Sequence, residues 1–313
     1  MDFLTHLLFG ALIYLISFKD MDTVYFFYVI FFSILPDLDV FLSPLKNFLK
    51  STYLEHRSAS HSFIIGIIIS AVIGEFFAIF RQELFLKAWI IGSIFYGIHV
   101  SLDLLTTTKI PCFYPISKKE YCFYVEKAGS MFTLILSFVS IIGSMIFFSF
   151  SNDIFFFLFL INFLTIFFIS YYVFRILIRI LINFRLKENQ KYFPGILPCF
   201  YYLLEKKFEK NKIFLKLEKR SIFQTYRILY ANNLILTERE LKLFKKAIKS
   251  CNESYYFTKW TILPIFKRMD NIFSVKLFFI EPMIHSKAVF IQFDFDLMTE
   301  KIIDMEQKFG HIN

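Results

Sequence analysis

Six apolar segments follow one another in the first 184 residues, and they restrict the possible folds more than any other feature of this sequence. They run over 3–18, 24–42, 62–80, 86–105, 131–150 and 154–184. A helix needs about 20 apolar residues to cross a bilayer, and only the first segment is short. Hydrophobic residues make up 57% of the chain, and the mean hydropathy is +0.56. We therefore predict an all-α polytopic membrane bundle of about six transmembrane helices.

The sequence changes character after the sixth segment. Spacing typical of helices occurs at 241–249 and 298–309, and patterns typical of strands occur at 213–217, 222–229 and 290–296. These patterns predict a small α+β or mostly-β cytosolic domain of ordinary domain size. We place the helical membrane domain at 1–184 and the basic cytosolic domain at 185–313.

Charge is distributed unevenly along the chain. Residues 1–183 hold twelve basic and twelve acidic residues, so the whole formal net charge of +9 belongs to 184–313. Seven basic residues lie in the loops at 43–57 and 108–128, against three in the opposite loops. The positive-inside rule then predicts a multi-pass protein of the cell membrane with both termini cytoplasmic. The basic tail favours contact with anionic membrane lipids, and it carries no nucleic-acid recognition motif. The sequence does not identify a protein partner of the tail.

Ionisable side chains interrupt the ends of four apolar segments, where a membrane protein rarely carries them without a use. They are His6, the pair Asp37 and Asp39, the pair His56 and His61, and the pair His99 and Asp103. Consecutive helices alternate in direction, so we expect all seven side chains to converge on the cytoplasmic face. His99 and Asp103 are four residues apart and share one helix face. Four imidazoles and three carboxylates are enough to bind two divalent ions, with zinc preferred and manganese or iron possible.

Two such ions are typical of phosphoester hydrolysis, because they activate a water molecule and stabilise the attacking and leaving oxygens. Arg57 is the candidate catalytic residue, since its guanidinium can bind a phosphate through paired hydrogen bonds. Lys118 and Lys119 can neutralise the same anion, and Ser60 and Ser62 can orient metal ligands. A site at headgroup depth predicts a phospholipid or another amphipathic phosphate as substrate.

Other interpretations use the same residues. A histidine at a helix end is often only hydrogen-bonded, and an aspartate after proline often caps a turn. A divalent-cation transporter uses the same ligands but binds its ion near the middle of the membrane. A non-catalytic membrane scaffold with a partner-binding tail would tolerate the loss of His99 or Asp103 but not the loss of the tail.

Several motifs in the first 130 residues resemble those of the YdjM-like membrane-bound metal-dependent hydrolases. They are Thr5-His6 with Gly10, Leu35-Pro36-Asp37-Leu38-Asp39, Glu55-His56-Arg57 with His61-Ser62, and His99 with Asp103-Leu104-Leu105-Thr106. The resemblance implies a helical domain distantly similar to zinc-dependent phospholipase C. It also implies metal contacts at His6, Asp37, His56, His61, His99 and Asp103, with Asp39 beside them. Met131-Phe132 departs from the family pattern, which has an acidic residue there.

Overall fold

The computed structural model describes residues 1–18, 22–42, 57–81, 85–150, 153–223, 225–252 and 259–312. It divides into two compact units, Met1–Ile178 and Arg179–Asn313.

The first unit is built from helices. These are α1 (Phe3–Ser17), α2 (Thr23–Ile34), α3 (Phe63–Arg81), α4 (Phe85–Leu104), α5 (Met131–Phe150) and α6 (Ile154–Asn183). Aspartates start the first two helices. Asp2 accepts a hydrogen bond from the backbone N–H of Thr5, and Asp22 accepts one from that of Val24. Because Pro36 lacks an N–H, α2 does not continue as a regular helix and passes into a 3-10 helix at Leu35–Leu42.

Five helices in the described part of the chain are long and apolar enough to cross a membrane. They cover Thr23–Phe41, Phe63–Phe80, Phe85–Leu104, Met131–Phe150 and Ile154–Asn183. The sixth predicted span, α1, has 15 residues and is therefore only about 22 Å long. Large apolar side chains on the outside of the bundle are left uncovered, among them Phe80 at 84% and Phe150 at 88% exposure. Such an outer surface fits a lipid environment, and the prediction of a helical membrane part is confirmed.

The second unit contains two four-stranded antiparallel sheets. One has the order β1 (Gln190–Pro194), β2 (Phe200–Glu209), β3 (Lys212–Ser221) and β4 (Tyr226–Ile235). The other has the order β5 (Ile262–Met269), β6 (Ile272–Phe279), β7 (Lys287–Asp296) and β8 (Ile302–His311). The helix α7 (Glu238–Asn252) separates them along the chain. Thr237 and Glu240 form a reciprocal capping box at its start.

The α+β prediction for this unit is confirmed, and the predicted helix at 241–249 lies within α7. The predicted helix at 298–309 is wrong, because Ile302–His311 forms β8 and pairs antiparallel with β7. The residues of this segment have only moderate helix propensity. The outer edge of β7 offers backbone N–H and C=O groups along its length, and hydrogen bonding to them outweighs that propensity. The predicted strand at 222–229 begins only at Tyr226, because Ile222 and Phe223 form the turn before β4.

Candidate metal centre

Four helix ends meet at one end of the bundle and bring five of the seven predicted ligand residues together. His6 lies in the first turn of α1, and Asp37 lies in the 3-10 helix that continues α2. His61 ends a short turn, Ala59–His61, that precedes α3. His99 and Asp103 lie one turn apart near the end of α4. The alternating directions of the helices thus gather these side chains in one place.

The separations between the ligand atoms suit a metal ion. One atom from each of His6, Asp37, His99 and Asp103 lies within 4.8 Å of all the others. His61 Nε2 lies 3.1 Å from Asp103 Oδ2, 3.5 Å from Asp37 Oδ1 and 3.4 Å from His99 Nε2. Ligands bound to zinc at about 2.0–2.2 Å lie roughly 3.3–3.6 Å apart at tetrahedral angles. The three distances from His61 Nε2 lie in or close to this range, and the other ligand atoms are near enough to reach it with small shifts.

Both carboxylates are shared between two groups of imidazole nitrogens. Asp103 Oδ1 lies 3.4 Å from His6 Nε2, while Asp103 Oδ2 lies 3.1 Å from His61 Nε2 and 3.9 Å from His99 Nε2. Asp37 Oδ2 lies 4.0 Å from His6 Nε2, while Asp37 Oδ1 lies 3.5 Å from His61 Nε2 and 3.7 Å from His99 Nε2. One group therefore consists of the His61 and His99 nitrogens, and the other consists of the His6 nitrogen alone. Carboxylates that present an oxygen to each group would suit a pair of divalent ions.

The cluster is deeply buried and only partly hydrogen-bonded. His6, His61, His99 and Asp103 are each at most 1% exposed. Both ring nitrogens of His6, and Asp37 Oδ1, are buried without a hydrogen-bond partner among the described residues. A buried polar atom left in this way costs about 1–3 kcal/mol. A bound cation would satisfy His6 Nε2 and Asp37 Oδ1 together, so the side chains fit the metal that the sequence predicts.

Neighbours on the far side of each ring orient two of the histidines. His99 Nδ1 donates to the Ser33 carbonyl oxygen at 2.7 Å, which leaves Nε2, on the cluster side, as the nitrogen of the neutral ring that can bind a metal. His61 Nδ1 lies 3.1 Å from Ser60 Oγ and 3.5 Å from Asp39 Oδ2. Ser60 also donates to Asp39. Asp39 therefore lies on the Nδ1 side of the His61 ring, away from the cluster. It is not one of the four residues, His6, Asp37, His99 and Asp103, whose ligand atoms lie within 4.8 Å of one another.

Arg57 lies against the cluster in a fixed conformation. Its Nε is 3.4 Å from Asp103 Oδ2, and it donates from Nη1 to Thr108 Oγ1 at 2.9 Å and from Nη2 to the Met1 carbonyl oxygen at 2.5 Å. Its φ of +61° is rare for a side chain of this size, and its backbone N–H is held by Asp39 Oδ2 at 3.1 Å. The Met1 amino group forms an ion pair with the other oxygen of Asp103. The guanidinium thus lies at the edge of the cluster and is 11% exposed.

The other predicted site residues are placed differently. His56 lies outside the described residues. Lys118 and Lys119 are exposed, and the Lys119 amine lies over the Tyr121 ring at 5.4 Å. Ser62 donates at 2.5 Å to the Tyr114 carbonyl oxygen in the loop after α4.

A buried ion pair that the sequence analysis did not identify fastens α6 to the loop that follows α4. Arg175 donates from Nε and Nη2 to the Glu126 carboxylate at 2.9 and 2.7 Å, and the Tyr171 hydroxyl donates to it at 2.6 Å. The Glu126 backbone N–H donates to the Leu105 carbonyl oxygen at 2.9 Å, two residues after Asp103. The sequence feature that could have revealed this pair is Arg175 itself, a charged residue inside an apolar segment.

Comparison with known proteins identifies the family. A model of the YdjM inner membrane protein family matches residues 1–177, a range that covers more than half of the chain and includes every predicted site residue. No curated protein and no solved structure matches the chain. The match agrees with the apolar helices of the first unit. This chain is a membrane protein that belongs to the YdjM inner membrane protein family.

Proposed function

We propose that this protein is a metal-dependent hydrolase that cleaves a phosphoester at one end of its membrane bundle. The observation that carries the proposal is the buried cluster of three imidazoles and two carboxylates, whose ligand atoms converge closely enough for a divalent ion to bind among them. Mixed histidine and aspartate ligands around two ions are typical of phosphoester hydrolysis.

The proposed centre holds two divalent ions, with zinc preferred and manganese or iron as alternatives, because imidazole and carboxylate ligands suit all three. When bound, such ions lower the pKa of a water ligand and stabilise negative charge on phosphate oxygens. The chain would bind them through His6, Asp37, His61, His99 and Asp103, with His56 as a further ligand proposed from the sequence. Ser33 and Asp39 would keep the rings of His99 and His61 turned towards the ions.

Arg57 is proposed to bind the phosphate group. Its planar guanidinium can donate two parallel hydrogen bonds to phosphate oxygens, and the Thr108 hydroxyl and Met1 carbonyl already restrict its position. Less conformational entropy is then lost when an anion binds. Arg57 already lies beside Asp103 before a substrate binds. Its guanidinium therefore needs to move only a short distance to contact a phosphate at the metal centre.

The position of the cluster favours an amphipathic substrate. Asp37, His99 and Asp103 lie near the ends of candidate membrane spans, and His61 lies just before a third one. These positions favour the depth of lipid headgroups. Val40 and Phe41, next to Asp39 in the 3-10 helix, are 51% and 78% exposed and offer an apolar surface beside the site. A phospholipid or a related amphipathic phosphate fits both features. The loop charges favour the cytoplasmic side of the membrane for this reaction. A transporter would instead bind its ion near the middle of the membrane.

The proposal is tested by assaying purified protein, loaded with zinc or manganese, against a panel of lipid and soluble phosphoesters. The site variant is Asp103→Asn. The matched control is Asp153→Asn at the start of α6, where asparagine can still accept the capping hydrogen bond from the Phe155 N–H. We expect hydrolysis by the parent and the control, and a loss of about 100-fold or more in the site variant.

Equal turnover by parent and site variant would show that the cluster is not the catalytic centre. Absence of hydrolysis across the panel, together with uptake of divalent ions into proteoliposomes that Asp103→Asn abolishes, would replace the hydrolase proposal by a transporter.

A further inference from the structure

The hairpin between β3 and β4 ends in an exposed apolar tip in the second unit. Phe223 is 73% exposed and Tyr226 is 70% exposed, while Ile222 beside them is 37% exposed. Leu197, in the loop between β1 and β2, is 49% exposed. We propose that this tip, formed by Ile222, Phe223 and Tyr226, binds the surface of an anionic lipid bilayer and anchors the C-terminal unit there.

The described residues of the tip are held by hydrogen bonds and present their side chains from a defined turn. The Ser221 backbone N–H donates to the Thr225 carbonyl at 2.8 Å and closes the hairpin. The Phe223 N–H donates to Ser221 Oγ at 3.1 Å. The Ile222 N–H donates to the Cys199 carbonyl at 3.1 Å, which joins the tip to the β1–β2 loop that carries Leu197. Two exposed apolar loops therefore lie side by side at one end of this sheet.

Positive charge surrounds these apolar side chains. Arg220 and Lys219 precede the tip, and Arg227 follows it with its side chain exposed. The acidic residue nearest in sequence, Glu218, is 4% exposed and is already paired with Arg220 and with Lys216. Aromatic and aliphatic side chains flanked by arginine and lysine are typical of segments that bind at the membrane interface, because the rings enter the headgroup region while the cations meet lipid phosphates.

The corresponding hairpin of the other sheet provides an internal comparison. Met298, at the turn between β7 and β8, is 71% exposed and thus matches Phe223 in exposure. Two acidic residues lie in this turn. Asp296 accepts from the Met298 N–H at 2.7 Å, and Glu300 pairs with Lys242 at 2.6 Å and with Arg239 at 3.4 Å. The two tips join the third and fourth strands of similar sheets, but among the described residues only the β7–β8 turn carries carboxylates of its own, which oppose contact with an anionic surface.

The connection along the chain makes a lipid bilayer the most available binding partner for the tip. The second unit continues directly from α6, a candidate span that ends at Asn183, and β1 begins at Gln190. This short connection keeps the unit at a high effective concentration at the membrane. The whole formal net charge of +9 also belongs to 184–313, so the unit is complementary to anionic lipids.

The test places a tryptophan at the tip of the full-length protein in proteoliposomes. Both native tryptophans, Trp89 and Trp260, are first replaced by phenylalanine. Phe223→Trp is then compared with Met298→Trp as the matched control, and Tyr226→Trp serves as a second probe of the same tip. The vesicles contain phosphatidylcholine with or without phosphatidylglycerol, with bromine atoms on the acyl chains as quenchers. Both leaflets have the same composition, so the orientation of the protein does not affect the comparison.

We expect the Phe223→Trp and Tyr226→Trp variants to lose fluorescence in brominated anionic vesicles and to shift their emission to shorter wavelength. The control should keep its fluorescence. Adding Arg227→Gln, or raising the salt concentration, should restore part of the lost signal. The proposal is overturned if neither tip variant is quenched more than the control, as expected if the tip binds a protein instead. It is equally overturned if quenching is the same in neutral and anionic vesicles.

Discussion

His61 has the metal cluster on one side of its ring and a carboxylate on the other. Its Nε2 lies 3.1 Å from Asp103 Oδ2, and its Nδ1 lies 3.5 Å from Asp39 Oδ2. A carboxylate behind a metal-binding imidazole fixes the orientation of the ring and raises its basicity. At the scale of single residues, we therefore expect Asp39 to act on the metal through His61.

Asp39→Asn should weaken zinc binding without abolishing it, because asparagine keeps the shape and one acceptor but loses the negative charge. We expect the affinity to fall about 10–100-fold, as is typical for such neighbours of metal ligands. Competition with a zinc chelator measures the change. Asp103→Asn should show a much larger loss, and Asp153→Asn should show none. Unchanged affinity in Asp39→Asn would mean that its carboxylate does not orient His61 in the bound state.

At the scale of elements, the close approach of α1 to α2 supports the cluster. A Cβ atom at Gly10 would lie 2.2 Å from Ser33 Oγ and 2.7 Å from Ser33 Cβ, so only glycine fits here without a shift. Ser33 also supplies the carbonyl oxygen that accepts from His99 Nδ1. The distance between these helices therefore affects the orientation of a proposed ligand.

Gly10→Ala should push α1 away from α2. We expect a loss of stability of about 1–3 kcal/mol, as for other insertions into a packed interface, together with weaker metal binding. Gly143→Ala in α5 is the matched control, because a Cβ there would have nothing within 4 Å. Thermal unfolding and chelator competition measure the two effects. If both alanine variants behave alike, close packing at Gly10 does not support the centre.

The seam between the two sheets of the C-terminal unit contains a lysine with an altered pKa. Lys206 of β2 donates to the Ile262 carbonyl of β5. Burial lowers its pKa to about 8, although Glu281 opposes the shift. An unfolded chain keeps a lysine pKa near 10.4. Between pH 8 and 10.4 the unfolded state thus binds more protons than the folded state, so this lysine makes stability rise with pH in that window.

Lys206→Met should stabilise the unit below pH 8 by about 1–2 kcal/mol and remove this rise. Lys207→Met, at an exposed neighbouring position, controls for the loss of one positive charge. Denaturant unfolding of full-length protein in detergent, followed by Trp260 fluorescence in a Trp89→Phe background, gives the stabilities. A Lys206→Met curve that keeps the slope of the control between pH 8 and 10 would contradict the assignment.

The strand β8 shows why the second unit was harder to predict than the bundle. The segment Met298–Phe309 contains residues that favour helices, and its local pattern predicted one. What decides its structure is the edge of β7, which lies earlier in the chain and forms nine residue pairs with it. A helix in the bundle needs only its own apolar length, whereas a strand needs a partner that local sequence does not reveal.

At the scale of the whole molecule, the order of the apolar segments determines which residues meet. Alternating helices bring His6, Asp37 and His99 to one end of the bundle, and this was predictable from their positions in the sequence. The contacts that orient these ligand residues and fasten the helices could not be predicted in this way. Ser33 contributes only a backbone carbonyl, which any residue type supplies, and the Glu126–Arg175 pair joins positions 49 residues apart. Such contacts depend on packing rather than on residue type.

Metal binding at this end of the bundle is tested most directly by the metal content of detergent-purified protein, measured by elemental mass spectrometry. The comparison is a His99→Ala and Asp103→Ala double variant that elutes as the same folded species as the parent. We predict about two equivalents of zinc, or of manganese or iron, in the parent and none in the variant. A well-folded parent that binds no metal after incubation with zinc and with manganese would show that this end of the bundle is not a metal centre.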